Sequence, residues 1–207
     1  MTQFIQVHPE NPQGRLIAQA VSVLRAGGII IYPTDSCYAM GCHIGDKNAA
    51  ERIRRIRRLE PSHDFTLMCS DLAEIGIYAK LDNPAFRLLK TITPGPYTFV
   101  LKATKEVPRR LLSPKRKTIG IRIADNAIVR DLLESLGEPL ISTTLHLPND
   151  EYPLSDPYEM RDILGSQVDL IIDGGYCGIE PTTVVDILED VPKVLRQGLG
   201  DSSVFEQ

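Results

Sequence analysis

A short apolar run that ends in a polar turn constrains the fold of this chain more than any other stretch. Residues 28–31 read Gly-Ile-Ile-Ile, and the following residues 32–41 are rich in hydroxyl groups. β-Branched residues bounded by glycine predict a buried strand, and Pro33 disfavours its continuation as a central strand. Such strand ends hold small ligands in open α/β sheets; the alternative is that Asp35 and Ser36 only cap a turn.

Patterns typical of helices and strands alternate along the rest of the chain. Apolar residues recur at helical spacing in residues 16–24 and 127–136, and glycines follow both runs. Residues 117–123 alternate between isoleucine and small or polar residues, which predicts a strand with the isoleucines in the core. Two closely spaced strands at 182–187 and 193–196 predict an antiparallel part. We therefore expect an α/β fold: one domain with a mixed parallel/antiparallel sheet flanked by helices.

Local signals also predict where two helices begin. Asp46 is expected to cap an amphipathic helix, and Asn83 to cap another helix with Pro84 at its first position. Arg122 falls on the non-isoleucine face of its strand, where exposure to solvent is the common outcome for a single charged residue.

Composition and charge exclude several classes of protein. The chain has 207 residues with 43% hydrophobic content, enough for one well-filled core. Its net charge of -4 argues against a general polyanion binder but allows a local basic patch. No window approaches the length of a membrane span, so a protein without membrane association is expected. The chain has four cysteines, Cys37, Cys42, Cys69 and Cys177, and they form no CxxC pair. This pattern predicts reduced thiols in a cytoplasmic protein and no zinc site.

Three separate segments end in hydroxyl residues or glycine, namely 34–36, 142–144 and 174–183. If these segments converge, they form a polar pocket. Hydroxyls flanked by arginines suit a substrate that carries both phosphate and amino-acid groups, because arginine pairs with anions while hydroxyls orient the remainder. Neither GxxxxGK[ST] nor GxGxxG is present, so a Walker loop and a Rossmann glycine turn are excluded.

Five ordered motifs resemble the YrdC/YciO-like threonylcarbamoyl-AMP synthase family. The motifs are residues 27–41, 93–98, 117–122, 140–144 and 181–186. The amino-acid sequences of residues 66–69 and 98–99 resemble the YciO branch most. The resemblance covers residues 12–200, which we expect to form the domain between an N-terminal arm at 1–11 and a C-terminal tail at 201–207.

The resemblance implies a fold and a reaction. The fold would be the YrdC/YciO-like twisted sheet around a concave, positively charged face. Family members convert L-threonine, bicarbonate and ATP into threonylcarbamoyl-AMP and pyrophosphate, the first step toward threonylcarbamoyladenosine in tRNA. Mg²⁺ is the expected cofactor and arrives with ATP.

The resemblance also implies roles for individual residues. On the threonine side it points to Thr34, Thr118, Ser142 and Thr182. On the nucleotide side it points to Arg57, Arg122, Thr144 and Arg196. Arg57 and Thr144 are the expected catalytic residues, in a reaction that depends mainly on positioning and on stabilising charge on the leaving pyrophosphate.

Two positions depart from the pattern of active synthases. Their Lys-x-Arg pair aligns with Arg57 and Leu59, so one cation facing phosphate is missing unless Arg58 replaces it. Their Ser-x-Asn motif aligns with Thr144 and His146, and an imidazole reproduces an amide only in part. Losing a charge-assisted contact costs about 1.5 to 3 kcal/mol. The departures therefore predict weak synthase activity.

An arginine-rich helix gives a second hypothesis from a different class. Residues 52–58 contain five arginines, and residues 105–117 form a second basic stretch. A tRNA or double-stranded RNA binding module follows if both stretches share one face; the alternative is a solvated charged surface. The predicted contacts to RNA come from Arg52, Arg54, Arg55 and Arg58.

Nucleophilic catalysis and metal binding are weaker alternatives. Cys37, close in sequence to Asp35 and His43, has the residue types of an activated thiol, although free cysteines usually act as inert packing groups. His63 and His146 are predicted to act as hydrogen-bonding groups, since no second ligand stands at suitable spacing. No metal site of the protein is predicted.

Overall fold

The computed structural model describes residues 2–60, 65–113 and 115–205. The described strands are β1 (Gln3–Gln6), β2 (Ile30–Tyr32), β3 (Ala39–His43), β4 (Thr66–Met68), β5 (Tyr97–Lys102), β6 (Thr118–Arg122), β7 (Leu140–Thr144), β8 (Leu170–Asp173), β9 (Thr183–Asp186) and β10 (Lys193–Arg196). The described helices are α1 (Gly14–Arg25), α2 (Lys47–Arg57), α3 (Leu72–Tyr78), α4 (Asn83–Ile92), α5 (Ala127–Leu136) and α6 (Pro157–Leu164).

All of these strands form one mixed sheet in the order β1-β8-β2-β3-β7-β4-β6-β5-β9-β10. Strand β8 pairs in parallel with β1 and β2, and the pairs β4/β6 and β5/β9 are also parallel. The remaining neighbours are antiparallel, including the C-terminal pair β9/β10. This arrangement confirms the expected α/β class and the antiparallel part predicted near the C-terminus.

The two faces of the sheet are covered unequally. Helices α2, α3, α4 and α6 contribute to the larger core on one face, together with Ile119 and Ile121 of β6. Helices α1 and α5 form the smaller core on the other face, over β1, β2, β3, β8 and parts of β4 and β7. Strands β5, β6, β9 and β10 contribute nothing to the smaller core, so their second face stays open among the described residues.

The structure confirms both predicted helix starts, with one capping residue shifted by one position. Asp46 caps α2, its carboxylate accepting from the Ala49 N–H at 2.8 Å. The cap of α4 is Asp82, which accepts from the Ala85 N–H at 2.8 Å, so the assignment to Asn83 is wrong by one residue. An aspartate one residue earlier satisfies the same free N–H group, and Pro84 then occupies the second helical position.

Several elements were absent from the sequence-based expectations. Strand β1, within the expected N-terminal arm, pairs with β8 at the edge of the sheet. Helices α3 and α6 were also missed. Within the described residues, no helix combines the length and apolar character needed to cross a membrane.

Candidate functional site

A cavity of about 800 Å³ lies against the open half of the sheet, and we call it the main cavity. Its volume is typical of sites that hold small ligands. Its floor is formed by strand residues that point to the same face of the sheet, mainly Thr66, Thr98, Val100, Gly120, Ser142 and Val184. Its rim includes the loop residues 151–153 and 179–181. Small and hydroxyl side chains on every second strand position therefore leave room for a ligand where helices do not cover the sheet.

Hydroxyl groups on the floor are held in fixed positions. The Thr98 and Thr182 hydroxyls lie 2.8 Å apart, and the Tyr32 hydroxyl lies 2.6 Å from the Ser142 hydroxyl. Burial raises the pKa of Tyr32 to about 12, so the phenol keeps its proton at neutral pH. At Gly120 a Cβ would lie 3.0 Å from the Thr66 hydroxyl oxygen, so glycine keeps this part of the floor open.

Arg122 is buried in the wall of the main cavity rather than exposed to solvent. Its Nη2 donates to the Thr34 hydroxyl at 3.1 Å, to the Ser36 hydroxyl at 2.9 Å and to the Asp35 carboxylate. The three acceptors are consecutive residues of the turn between β2 and β3. The turn thus does more than reverse the chain, because it holds a buried cation.

Two further arginines border the same cavity. Burial lowers the pKa of Arg57 to about 10, so its guanidinium stays charged at neutral pH. Its Nε atom is buried and, like Nε of Arg122, has no hydrogen-bond partner in the described part of the chain. Arg196 donates from Nη2 to the Thr182 carbonyl at 2.9 Å, and burial lowers its pKa. Buried donors without acceptors are costly, so the side chains of Arg57 and Arg122 suit an anionic ligand.

The structure brings most of the predicted site residues together. Arg57, Arg122, Ser142, Thr144, Thr182 and Arg196 all line the main cavity. Two predicted threonine-side residues do not line it. Thr34 lies behind Arg122 and donates to the Cys37 carbonyl at 2.6 Å, and the buried Thr118 pairs with Lys102 at the start of β6.

The rim segment after β8 is tied to the β2–β3 turn. The Tyr38 hydroxyl donates to the Gly175 carbonyl at 2.5 Å and accepts from the Gly174 N–H at 3.2 Å. The Cys177 thiol contacts the Thr34 carbonyl oxygen at 3.6 Å. These contacts position the residues at 179–182 that follow along the cavity.

The two departures from the synthase pattern have different surroundings. Leu59 packs against the larger core and does not line the main cavity, and neither does the exposed Arg58. His146 does line it, with Nε2 at 2.8 Å from the Asp150 carbonyl oxygen. Because a carbonyl only accepts hydrogen bonds, Nε2 carries a proton in this contact, and Nδ1 is the nitrogen left for other partners.

The arginines predicted to contact RNA do not share one free surface. Arg52 pairs with Asp169 at 2.9 Å, and the Arg54 guanidinium lies 4.6 Å from the centre of the Phe65 ring. Arg55 and Arg58 are exposed. The second basic stretch is also engaged in part, since Arg110 donates to the Ile44 carbonyl and Arg116 pairs with Asp186. Intramolecular contacts thus occupy several of the charges that the sequence pattern grouped together.

The nucleophilic cysteine hypothesis is not supported by the geometry. Cys37 lines the main cavity, but burial raises the pKa of its thiol to about 11. His43 lies at the opposite end of β3, where it pairs with Glu138 at 2.7 Å. His43 therefore does not activate the thiol. His63 lies outside the described residues, and within them no cluster of three or more His, Cys, Asp or Glu side chains could hold a metal ion.

Sequence reasoning missed several residues of the site. Tyr32 and Thr98 fall inside recognised motifs, and the alternation of β5 could have directed Thr98 to the same face as Gly120 of β6. Glu151 and Glu180 at the rim carry no such signal, because loop side chains have no periodicity that assigns them to a face.

Comparison with known proteins agrees with this fold. A family model for Sua5/YciO/YrdC, described as "Telomere recombination", matches residues 22–198. Escherichia coli (strain K12) YciO, described as uncharacterized, is 60% identical over 99% of this chain and 100% of its own length. The crystal structure of E. coli YciO has a TM-score of 0.96 at the same coverage.

More distant relatives have described activities or ligands. A threonylcarbamoyl-AMP synthase of Mus musculus is 31% identical, over 87% of this chain and 71% of that protein. The crystal structure of P. abyssi Sua5 complexed with L-threonine is 26% identical with a TM-score of 0.87, over 95% of this chain and 58% of that one. The chain therefore belongs to the Sua5/YciO/YrdC family, with YciO among its close relatives.

Proposed function

We propose that the main cavity binds ATP and L-threonine, and that the protein forms threonylcarbamoyl-AMP and pyrophosphate from ATP, L-threonine and bicarbonate. The observation that carries this proposal is the grouping of Arg57, Arg122 and Arg196 around a hydroxyl-lined floor, with two buried Nε atoms that lack acceptors. The L-threonine complex of P. abyssi Sua5 supports threonine as one substrate.

The proposed reaction needs two bonds to form. The threonine nitrogen bonds to the bicarbonate carbon with loss of water and a proton. A carbamate oxygen then bonds to the α-phosphorus of ATP as the bond to the pyrophosphate oxygen breaks. Negative charge moves onto pyrophosphate, so fixed guanidinium groups near the phosphates stabilise the transition state more than the ground state. Arg57 and Arg196 have the placement for this role, while Ser142, Thr144 and Thr182 orient threonine and the nucleotide.

Mg²⁺ enters this proposal as part of the substrate MgATP. Among the described residues, the main cavity offers the carboxylates Glu151 and Glu180 at its rim, which is fewer than an all-protein magnesium cage requires. The ion would therefore be held chiefly by phosphate oxygens and water, as is usual for magnesium with nucleotides.

Activity is expected to be weak, because Leu59 and His146 stand where active synthases carry a cation and an amide. Neither Leu59 nor Arg58 lines the cavity, so neither of these two side chains restores the lost charge. We expect a rate lowered by roughly ten- to a hundredfold relative to a synthase with both groups.

The test is an assay of pyrophosphate release with each substrate omitted in turn. The proposal predicts release only when ATP, L-threonine and bicarbonate are all present. Arg57→Ala should lower the rate by roughly tenfold or more, whereas the exposed Arg87→Ala should not change it. Pyrophosphate release at background level with all three substrates present contradicts the proposal.

RNA binding is the second candidate, and the exposure of Arg55 and Arg58 is the observation that favours it. Exposed arginines contribute to affinity through phosphate contacts, which weaken as salt rises. A double variant Arg55→Ala/Arg58→Ala should reduce tRNA affinity. It should also lower the steepness of log K against log salt concentration by about two, with Arg87→Ala as the control. Unchanged binding at moderate salt would contradict a role for this helix.

A further inference from the structure

The guanidinium of Arg122 is held through one nitrogen by three consecutive turn residues. Two of the acceptors, Thr34 and Ser36, are neutral hydroxyls at 3.1 and 2.9 Å, and the third is the carboxylate of Asp35. Asp35 is therefore the one charged member of this group. Both side chains of the ion pair are at least nine-tenths buried, Arg122 being 7% and Asp35 10% exposed.

The carboxylate of Asp35 is itself fixed at both oxygens. One oxygen accepts from Arg122, and the other accepts from the backbone N–H of Asp125 at 3.0 Å. Asp125 lies between β6, which carries Arg122, and the start of α5. The carboxylate thus links the β2–β3 turn to the loop that follows β6, and it is held against rotation from two sides.

A buried cation in a cavity wall needs a counter-ion when no ligand is bound, because an isolated charge in a low-dielectric site is costly. Neutral hydroxyls satisfy hydrogen bonds but supply no charge. Asp35 supplies the charge, and its two-point attachment gives the guanidinium a single orientation. A long, flexible arginine side chain otherwise has many rotamers to lose when it binds an anion.

We propose that Asp35 is a positioning residue of the main cavity: it fixes the guanidinium of Arg122 in the orientation in which it contacts the anionic part of the substrate. Asp35 acts through Arg122 and does not itself contact the substrate. The consequence for turnover rests on the proposed function, whereas the orientation of Arg122 is a property of the protein alone.

The orientation is tested first, without any ligand. In a ¹⁵N–¹H spectrum of the arginine Nε–H groups, the buried Arg122 should give a slowly exchanging signal, identified by its loss in Arg122→Lys. Asp35→Ser should abolish or shift that signal, and Asp35→Asn is the second variant if the first does not fold. The matched control is Asp71→Asn, a capping aspartate of α3 that does not line the main cavity. An unchanged Arg122 signal in a folded Asp35 variant overturns the proposal.

The consequence for turnover is tested by a double-mutant cycle on pyrophosphate release. Asp35→Asn should lower the rate by roughly tenfold in the wild-type background and by less than about twofold in the Arg122→Lys background. The reason is that both changes disrupt the same interaction, the ion pair between Asp35 and Arg122. Equal losses in the two backgrounds would show that Asp35 acts independently of Arg122, which contradicts positioning. Absence of pyrophosphate release from the wild type contradicts the proposed function, while the ¹⁵N–¹H spectra still decide the role of Asp35.

Discussion

Three arginine side chains of this protein have very different surroundings. Arg122 is buried with a carboxylate partner, Arg57 borders the main cavity with a buried Nε, and Arg55 is exposed on the same helix as Arg57. Charges in solvent are screened by salt and contribute little, whereas charges at a partly closed cavity act on a ligand at short range. Residues of one type, and even neighbours in sequence, therefore differ in what they can do for a bound anion.

Gly120 is expected to determine how closely a ligand approaches the floor of the main cavity. In Gly120→Ala the new Cβ would lie 3.0 Å from the Thr66 hydroxyl oxygen and 3.4 Å from Thr98 Cγ2. We expect threonine affinity to fall by about tenfold, measured by titration, because the methyl group occupies floor space and crowds a hydroxyl. Gly76→Ala in α3 is the control, since its Cβ meets nothing within 4 Å and alanine favours a helix. Equal threonine affinity in both variants would contradict a role for Gly120.

Cys37 is expected to be dispensable for catalysis. Burial raises the pKa of its thiol to about 11, so at pH 7 only about one thiol in ten thousand is ionised. Cys37→Ala should retain pyrophosphate release within about threefold, the residual effect coming from the lost packing of a small side chain. Alkylation of Cys37 should remain slow until the pH approaches 11, as followed by mass spectrometry. Loss of all activity in Cys37→Ala would restore the nucleophile hypothesis.

At the scale of secondary-structure elements, the end of a helix determines where a functional side chain lies. Helix α2 begins at the cap Asp46 and ends at Arg58, which has a left-handed backbone with φ of 48°. Arg57, the last residue of α2, lines the main cavity, while Arg58 turns away from it. The point at which the helix ends therefore decides which of two adjacent arginines can reach a ligand.

The cap of α4 predicts different losses of stability for substitutions at two neighbouring residues. Asp82→Ala should lower the free energy of unfolding by about 1 kcal/mol, because its carboxylate accepts from the Ala85 N–H. Asn83→Ala should change it by less than about 0.5 kcal/mol, because that residue lies within the first turn and makes no capping bond. Denaturant unfolding of both variants measures the difference. A larger loss for Asn83→Ala would contradict the capping geometry.

Helix α3 shows a signal that the sequence carried and that was overlooked. Asp71 accepts from the Glu74 N–H at 2.8 Å, and Glu74 accepts from the Ser70 N–H at 2.7 Å. This pattern resembles a capping box, in which an acid three residues after the cap returns a hydrogen bond, except that Glu74 returns it to the residue before the cap. The helix has only seven residues, so its apolar periodicity is too short to be recognised alone.

At the scale of the whole molecule, the uneven covering of the sheet creates the site. Helices α1 and α5 close one part of a face, and the uncovered strands β5, β6 and β9 carry Thr98, Gly120 and Val184 toward the main cavity. A fully covered sheet would bury this face with apolar side chains. The hydroxyl and glycine positions are thus consistent with a face that is kept open for a ligand.

Ligand binding is expected to stabilise the whole protein through Arg57. A ligand present at about 100 times its Kd adds about 2.7 kcal/mol to the free energy of unfolding, which for a domain of this size raises Tm by roughly 5 to 10 °C. MgATP with L-threonine should produce such a shift in the wild type.

The matched variant is Arg57→Met, which keeps the unbranched apolar part of the side chain without the charged guanidinium. Burial lowers the pKa of Arg57, which shows that the unliganded protein disfavours this charge. Arg57→Met should therefore keep or raise the Tm without ligand, and lose at least half of the ligand-induced shift. Arg87→Met should behave as wild type. A full ligand-induced shift in Arg57→Met would contradict a role for Arg57 in anion binding.

The amino-acid sequence by itself determined the class of fold and most of the strands that carry the site. Local patterns suffice for this, because the alternation in β6, the glycine after α5 and the hydroxyls after β2 depend on residues close together in the chain. The motifs likewise assigned the family, which the comparisons confirmed, and named six of the residues that line the main cavity.

Only the tertiary structure decided which charges are available. Arg52 pairs with Asp169 and Arg122 with Asp35, partners 117 and 87 residues away, so no local pattern could show that these cations are engaged. Strand β1 similarly depends on β8 at the other end of the chain. Burial and ion pairing are set by contacts between distant segments, which is why the sequence indicated two basic stretches but not which of their arginines are already paired within the protein.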